Sequence, residues 1–326
     1  MMNNGIIRII FTFFLAGVIM QPLSVASENN QPLFPDLDVS ISNLKETVKF
    51  LTEIRPHRNY MHPGSLNRTA DYIHDKFVEY GLEAKRQPFE IKGETFQNII
   101  GSIGKEKNKR IIVGAHYDVC GDQPGADDNA SAVAGLLEIA RLVRSYFKNT
   151  ENAEYGIEFA AYSLEEPPFF KTDQMGSYIH AKSLHDNKIN VRAMICLEMI
   201  GYFTDLEKSQ EYPAGFMKLF YPSVGNFIAV VGNFKSSALV NEVAGHLKKT
   251  DIPVKKLKAP ALLPGVDFSD HRNYWHFGYP AVMITDTAFY RNPHYHQSGD
   301  TIDTLNFEKM SAVVKGVLLS ILNIRP

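Results

Sequence analysis

RIIVGAHYDVCGDQPGADDNA, residues 110–130, starts as a buried strand and ends in a turn that carries two carboxylates. Its aliphatic IIV run between polar flanks is typical of a strand covered on both faces. His116 and Asp118 come at the strand end, and side chains two residues apart share one face of an extended chain. Asp127 and Asp128 follow in the turn. Because packing requires none of these polar groups, we predict a functional site at the carboxyl end of this strand.

The rest of the chain repeats this alternation of strand-like and helix-like segments. We predict helices over residues 41–54, 66–81, 130–147, 176–186, 237–249 and 307–322. We predict strands over residues 84–91, 96–104, 109–118, 155–163, 191–201, 226–233 and 280–286. This order is typical of an α/β fold with a mixed, mainly parallel β-sheet and helices on both faces. No repeat or Pro/Gly-rich linker divides the chain, so we expect one domain, residues 27–326, with a surface insertion over residues 207–222 that shapes the ligand crevice.

The first 26 residues have the composition of a cleaved secretory signal peptide. Arg8 precedes an apolar run over residues 9–20, and the small residues Ser24 and Ala26 follow it. The alternative, a membrane anchor, requires about 20 consecutive apolar residues, and this run is shorter. We therefore predict cleavage after Ala26, a secreted or periplasmic protein, and no membrane span in the mature chain.

Composition narrows the class of partner. The 326 residues are 44% hydrophobic and 21% charged, with a formal net charge of −2 and no long Lys/Arg block. This balance argues against nucleic-acid binding, so we expect peptide substrates and a monomer. The only two cysteines, Cys120 and Cys196, exclude a disulfide-rich scaffold. They either pair with each other or lie singly buried at strand ends.

Polar side chains recur at the ends of the other predicted strands, namely Glu165, Glu166 and Glu198, and in the late cluster NPHYHQSGDT, residues 292–301. Each alone is an ordinary turn or surface residue. Together they are the imidazole and carboxylate donors that a catalytic zinc-type metal takes, without the thiolates of a structural zinc site. Asp118 shares a face with His116 and can fix the tautomer of a ligating imidazole. Glu165 and Glu166 face different ways, so that one can bind metal while the other holds a proton.

Six motifs carry a family resemblance: GAHYD, PGADDNASAVAGLLE, YSLEEP, LEMIGY, SDHRNYWHFGYPA and HYHQSGDT. In this order and spacing they resemble the secreted two-zinc aminopeptidases of the leucyl aminopeptidase, aminopeptidase Y and glutamate carboxypeptidase family, peptidase family M28. The resemblance runs from about Ile41 to the C-terminus. It implies a zinc-dependent exopeptidase of the phosphorylase/hydrolase-like fold with two zinc ions per chain. The implied roles are as follows: His116 and Glu198 bind the first ion, Glu166 and His296 bind the second, Asp128 bridges both, Asp118 orients His116, and Asp127 is a loop residue.

The resemblance also implies that Glu165 is the general base of peptide hydrolysis. Glu165 would accept a proton from a zinc-activated water, whose pKa lies near about 7, and would then protonate the leaving amine. Tyr295, next to the expected ligand His296, is our candidate donor to the tetrahedral oxyanion.

Three features depart from the family pattern. Glu198 stands where the best-known members have Asp. The loop LLPGVDF before SDH lacks the Cys-flanked tyrosine of the closest secreted bacterial aminopeptidases. The segment PPFFKTDQ after the glutamate pair is unusually apolar, and it either lines the specificity pocket or packs in the core.

We therefore predict an exported zinc aminopeptidase that removes apolar N-terminal residues, with PPFF, FYRNPHY and YWHFGYP as candidate aromatic walls. The acidic motifs favour a substrate amine over a substrate carboxylate, which Arg272 and Arg291 would have to bind. The alternatives are a carboxypeptidase of the same fold, a one-zinc glutaminyl-peptide cyclotransferase and a non-enzymatic binding domain. Cyclotransferases usually carry a single Asp before Ser where this chain reads GADDNAS, and non-enzymatic relatives lose ligands that this chain has kept.

Overall fold

The computed structural model describes residues 37–148 and 155–324, and the predicted signal peptide lies outside them. The described strands are β1 Glu83–Ile91, β2 Glu94–Ile103, β3 Lys109–His116, β4 Gly156–Tyr162, β5 Asn190–Glu198, β6 Ile228–Gly232, β7 Val254–Lys258 and β8 Ala281–Thr285. The α-helices are α1 Ile41–Glu53, α2 Pro63–Glu79, α3 Ala132–Lys148, α4 Gly176–Asp186, α5 Ser237–Leu247, α6 His271–His276 and α7 Phe307–Asn323.

All eight described strands belong to one sheet, in the order β1-β2-β4-β3-β5-β8-β6-β7. The four central strands β4, β3, β5 and β8 are mutually parallel, so their carboxyl ends lie along one edge. Antiparallel pairs join β1 to β2, β2 to β4 and β6 to β8, and β7 pairs in parallel with β6. The predicted mixed, mainly parallel α/β sheet is confirmed.

The central strands are apolar on both faces because both faces are covered by helices. Along β3, Ile111 and Val113 pack into the core beneath α1, α2, α3, α5 and α7, whereas Ile112 packs into a second core beneath α4 and α6. This alternation follows from the period of two in an extended strand. It also explains why the IIV run is continuous rather than alternating.

One described strand and one described α-helix, β7 and α6, were not expected from the sequence. The sequence of β7, VKKLK, reads as a charged surface segment, but it forms a strand at the edge of the sheet, where lysines are common. The six-residue helix α6, HRNYWH, is too short to show helical periodicity. Among the described residues, no helix combines the length and hydropathy needed to cross a bilayer.

Candidate active site

The predicted site residues lie at one edge of the sheet, at the carboxyl ends of the parallel central strands or just after them. His116 is the last residue of β3, and Glu198 is the last residue of β5. Glu165 and Glu166 follow the end of β4, whose Tyr162 is the register partner of His116. The neighbouring strands therefore place these four side chains together, as expected at the carboxyl ends of parallel strands.

Asp128 lies between the two histidines of the site. Its Oδ1 is 3.5 Å from Nε2 of His116, and its Oδ2 is 3.1 Å from Nε2 of His296. Each histidine also approaches a glutamate: His116 Nε2 is 3.4 Å from Glu198 Oε2, and His296 Nε2 is 3.2 Å from Glu166 Oε2. The structure thus brings together all five predicted ligands, with one carboxylate oxygen of Asp128 facing each histidine.

Backbone turns aim these side chains into the site. Leu164, Met199 and His296 have φ values of 63°, 49° and 55°, in the left-handed region that non-glycine residues seldom occupy. Leu164 precedes the glutamate pair, and Met199 follows Glu198. Such conformations cost about 1–3 kcal/mol each and concentrate at functional sites. Three residues with such conformations lie in this one cluster, which supports a functional role for this edge of the sheet.

Asp118 supports both the first histidine and the glutamate pair. Its Oδ1 is 3.5 Å from Nδ1 of His116, and the same ring nitrogen is 3.2 Å from the Asp118 carbonyl. The carboxylate also accepts the backbone N–H groups of Glu165 at 3.1 Å and Glu166 at 3.0 Å. Asp118 is therefore placed to orient His116 and to hold the turn that carries both glutamates.

Asp300, which lies in the HYHQSGDT motif and was not expected to have a role, holds the turn that presents Asp128. Its two carboxylate oxygens accept the N–H groups of Asp127 at 2.9 Å and Asp128 at 3.0 Å. Gly125 starts the same turn at φ +60°, where a Cβ would lie 2.3 Å from the carbonyl oxygen of Asp128. Only glycine fits this position without displacing Asp128.

Asp127 was expected to be only a loop residue, but its side chain makes buried hydrogen bonds to two other loops. It is fully buried, its Oδ1 accepts the N–H of Gly201 at 2.9 Å, and its Oδ2 accepts the side-chain amide of Asn292 at 2.9 Å. Burial, followed by the neighbouring carboxylate of Asp286, raises the pKa of Asp127 well above its usual range. Through these hydrogen bonds Asp127 ties together the loops after β3, β5 and β8.

Burial and mutual repulsion raise the pKa values of the three glutamates of the site, whereas for Asp128 the effect of burial is outweighed by His296 and His116, which lower its pKa. Burial first, then the charge of Asp128, raises the pKa of Glu166 to about 8. Burial also raises the pKa of Glu165 well above its usual range and raises that of Glu198. The two carboxylate oxygens of Asp270 are buried without a hydrogen-bond partner in the described chain. Burial raises the pKa of Asp270 to about 7. Carboxylates packed this closely need protons or cations between them.

For the two histidines of the site, burial lowers the pKa and the neighbouring carboxylates raise it. Burial alone would lower the pKa of His116, but Glu198 and Glu165 raise it well above its ordinary value. Burial likewise opposes protonation of His296, but Asp128 and Glu166 raise its pKa to about 10. The site has the negative potential that attracts a divalent cation.

The donor atoms fit a zinc-type metal. His116 Nε2, His296 Nε2 and Glu166 Oε1 are buried without a hydrogen-bond partner in the described chain. Donor atoms of His116, Asp128 and Glu198 lie within 4.8 Å of one another. Imidazole and carboxylate are the donors of catalytic zinc sites, and orphaned buried donors are what an ion would satisfy. Ser269 donates a hydrogen bond to Glu198 Oε2 at 2.6 Å. This bond holds the Glu198 side chain, which is longer than the Asp that the family resemblance leads one to expect at this position.

Tyr295 stacks on His296 with ring centroids 3.8 Å apart. Burial, followed by the nearby carboxylates, raises the pKa of its phenol, so the hydroxyl keeps its proton and can donate a hydrogen bond. Tyr295 and Glu198 both line a cavity of about 90 Å³ beside the metal-ligand cluster. The other lining residues are mainly apolar and include Tyr212, Met217, Tyr221, Phe227, Val231, Phe268, Met283, Phe289 and Tyr290.

The three aromatic stretches named as candidate pocket walls have different places. FYRNPHY lines the cavity through Phe289, Tyr290 and Tyr295. PPFF does not, since Phe169 packs on Phe96 in the core and Phe170 packs on Phe268. YWHFGYP packs elsewhere, with Tyr274 buried in the second core. The insertion over residues 207–222 forms a wall instead, as expected of a connection at the crevice.

Comparisons with known proteins identify the family of the chain. The family model described as Peptidase family M28 matches residues 98–321. The chain therefore belongs to peptidase family M28 and is a hydrolase of the peptidase class. It is 43% identical to the uncharacterized protein YfbL of Escherichia coli, over 97% of this chain and 99% of that one. It is 26% identical to leucine aminopeptidase 1 of Coccidioides posadasii, over 86% of this chain and 69% of the relative.

Solved structures share the fold. The aminopeptidase LapA of Legionella pneumophila superposes with a TM-score of 0.69 at 23% identity, covering 87% of this chain and 71% of that one. A glutaminyl cyclase of Bacteroides thetaiotaomicron superposes with a TM-score of 0.66 at 21% identity, covering 88% and 99%. Because these two TM-scores are so close, fold alone does not choose between the two reactions.

Proposed function

We propose that this chain is an exported, monomeric two-zinc aminopeptidase that removes apolar N-terminal residues from peptides. The observation that carries the proposal is the position of Asp128, whose two oxygens face His116 and His296 at 3.5 and 3.1 Å. A carboxylate between two imidazoles, each with its own glutamate, would hold one ion through each oxygen, and such a pair of ions would supply the chemistry of a two-metal hydrolase.

We assign His116, Asp128 and Glu198 to one ion and Asp128, Glu166 and His296 to the other. Ions held there would supply Lewis acidity and lower the pKa of an attacking water. Glu165 is the general base: it takes the proton of that water and gives it to the leaving amine. Its Oε2 lies 3.9 Å from His116 Nε2, and its backbone N–H is fixed by Asp118. Tyr295 donates its phenol proton in a hydrogen bond to the oxyanion.

Charge supports a substrate with a free amino group. The cluster presents Asp128, Glu165, Glu166 and Glu198, which favour an ammonium group. The two arginines that could bind a substrate carboxylate are engaged elsewhere. Arg291 donates to Gln210 at 2.9 Å and lies 4.5 Å above the ring of Phe227, and Arg272 faces Asp267 at 3.5 Å. This supports an aminopeptidase over a carboxypeptidase.

The cavity beside the cluster supports an apolar first residue. Its floor is the sheet face that carries Ala229, Val231 and Met283, and its walls include Phe227 and Phe289. Burying a Leu, Met or Phe side chain there contributes about 1.5–3 kcal/mol, which is enough to select these residues over small or charged ones.

Glutaminyl cyclisation is the second candidate because of the similar fold of the Bacteroides cyclase. The paired ligand sets around Asp128 favour hydrolysis, since the family resemblance implies a single zinc ion for the cyclotransferases of this fold.

The test is hydrolysis of Leu-, Met- and Phe-p-nitroanilides by the purified chain, each compared with its N-acetylated form. We expect release of p-nitroaniline from the free amines, no release from the acetylated forms, and loss of activity with a chelator. Release of C-terminal residues from N-blocked peptides, or conversion of N-terminal Gln to pyroglutamate without hydrolysis, would contradict the proposal.

A further inference from the structure

Cys120 lies beside one half of the ligand cluster. Its Sγ and donor atoms of Glu166 and His296 all lie within 4.8 Å of one another. Cys120 is half-buried and unpaired, and the distant Cys196 is also a free thiol. The possible disulfide between them is therefore not formed, and Cys120 is available for another role.

The loop that carries Cys120 is held on both sides by a neighbouring segment. Val119 donates its N–H to the Arg58 carbonyl at 3.1 Å, and Asn59 donates its side-chain amide to the Gly121 carbonyl at 2.6 Å. His57 Nδ1 lies 2.5 Å from the Asp122 carboxylate. The position of the thiol is thus set by contacts on each flanking residue.

The two groups that Cys120 approaches have unused donor atoms. Glu166 Oε1 and His296 Nε2 are buried without a hydrogen-bond partner in the described chain, and Glu166 is 4% exposed. Zinc takes thiolate sulfur at about 2.3 Å and imidazole nitrogen or carboxylate oxygen at about 2.0–2.2 Å, so that donors around one tetrahedral ion are about 3.5 Å apart. The three donor atoms, all within 4.8 Å of one another, are close to this spacing.

We propose that Cys120 is a further protein ligand of the metal ion held by Glu166 and His296. The thiol releases its proton to solvent as the metal–sulfur bond forms. This inference rests on the proposed function and adds a soft donor to a site otherwise made of imidazole and carboxylate. Thiolate favours Zn²⁺ and Co²⁺ over Mg²⁺ and Mn²⁺, so Cys120 makes this position selective among divalent metals.

The first experiment replaces the native metal of the purified chain with Co²⁺ and records near-ultraviolet absorption during titration. We expect a thiolate-to-cobalt charge-transfer band in the natural sequence. The band disappears in Cys120→Ala and Cys120→Ser. The matched control Cys196→Ala keeps it, because Cys196 lies in the second core, with its sulfur 3.2 Å from the Ser269 hydroxyl.

The second experiment measures the alkylation of Cys120 by iodoacetamide in native protein, with peptide mapping by mass spectrometry. We expect labelling of Cys120 in chelator-treated protein and protection by zinc. We expect Cys120→Ala to lower the affinity for one of the two zinc ions by at least roughly tenfold, the usual effect of losing a group that supports a metal site.

The outcomes separate this inference from the proposed function. Two bound cobalt ions, aminopeptidase activity and no charge-transfer band would overturn the role of Cys120 alone. A band that persists in Cys120→Ala would also overturn it. Failure of the chain to bind any cobalt would overturn both the role of Cys120 and the two-metal aminopeptidase.

Discussion

Replacement of Asp300 by alanine should destabilise the protein and release the turn that presents Asp128. The Asp300 carboxylate accepts two backbone N–H groups, from Asp127 at 2.9 Å and Asp128 at 3.0 Å, and both residues are buried. A buried donor left without a partner costs about 1–3 kcal/mol, so the two together should cost about 2–6 kcal/mol. This is a large part of the stability of an ordinary domain, about 5–15 kcal/mol.

The assay is urea unfolding of chelator-treated protein at pH 8, with bound zinc measured separately on untreated protein. Burial, followed by the charge of Asp127, raises the pKa of Asp300 to about 7, so the carboxylate is ionised at pH 8 and accepts both bonds. Asp303→Ala is the control, because Asp303 is exposed and three residues further along. A loss in Asp300→Ala below about 0.5 kcal/mol, the range of ordinary surface substitutions, together with unchanged zinc content, would refute this role.

Three further outcomes are expected. Glu165→Gln should retain both metals but lose turnover by about 10²–10⁴-fold, the usual contribution of a general base, whereas the exposed Glu308→Gln should change nothing; a fully active Glu165→Gln would remove Glu165 from the mechanism. His296→Ala should lower zinc content and activity together, measured by elemental analysis and turnover, and equal zinc in this variant and in the control His185→Ala would rule out ligation by His296. Metal-free protein should lose stability as pH rises from about 5 to 8. The pKa of Glu166 in the folded state is raised to about 8 and that of His296 to about 10. The folded state therefore binds more protons than the unfolded state, so its stability falls as pH rises. Thermal melting should show this fall without zinc and a smaller fall or none with zinc, and a melting temperature that rises with pH in chelator would contradict the electrostatics of the cluster.

The alternation of strands and helices was predictable because each central strand is mostly apolar and each long helix has an apolar face. β4 and α4 illustrate this, since Gly156–Tyr162 is buried throughout and Gly176–Asp186 has the predicted bounds. β7 was not predictable from its own residues, because its lysines lie on the edge of the sheet and its pairing with β6 is decided by the rest of the fold.

The site was predictable to the extent that its residues sit at strand ends or in recognisable motifs. The five expected ligands, Asp118 and Glu165 have this property, and the structure places them together while their roles remain predictions. Supporting groups such as Asp300 had no local signal, since Asp300 meets Asp127 across 173 positions. Cys120 was expected either to pair with Cys196 or to lie singly buried at a strand end, because its proximity to Glu166 depends on how two loops pack.

The most direct measurement of the central claim is the zinc content of the purified mature chain, determined by mass spectrometry against protein concentration. The two ligand sets that share Asp128 predict two zinc ions per chain, each needed for hydrolysis of Leu-p-nitroanilide. One zinc per chain in a fully active protein, or activity that survives complete removal of metal, would contradict the two-metal aminopeptidase.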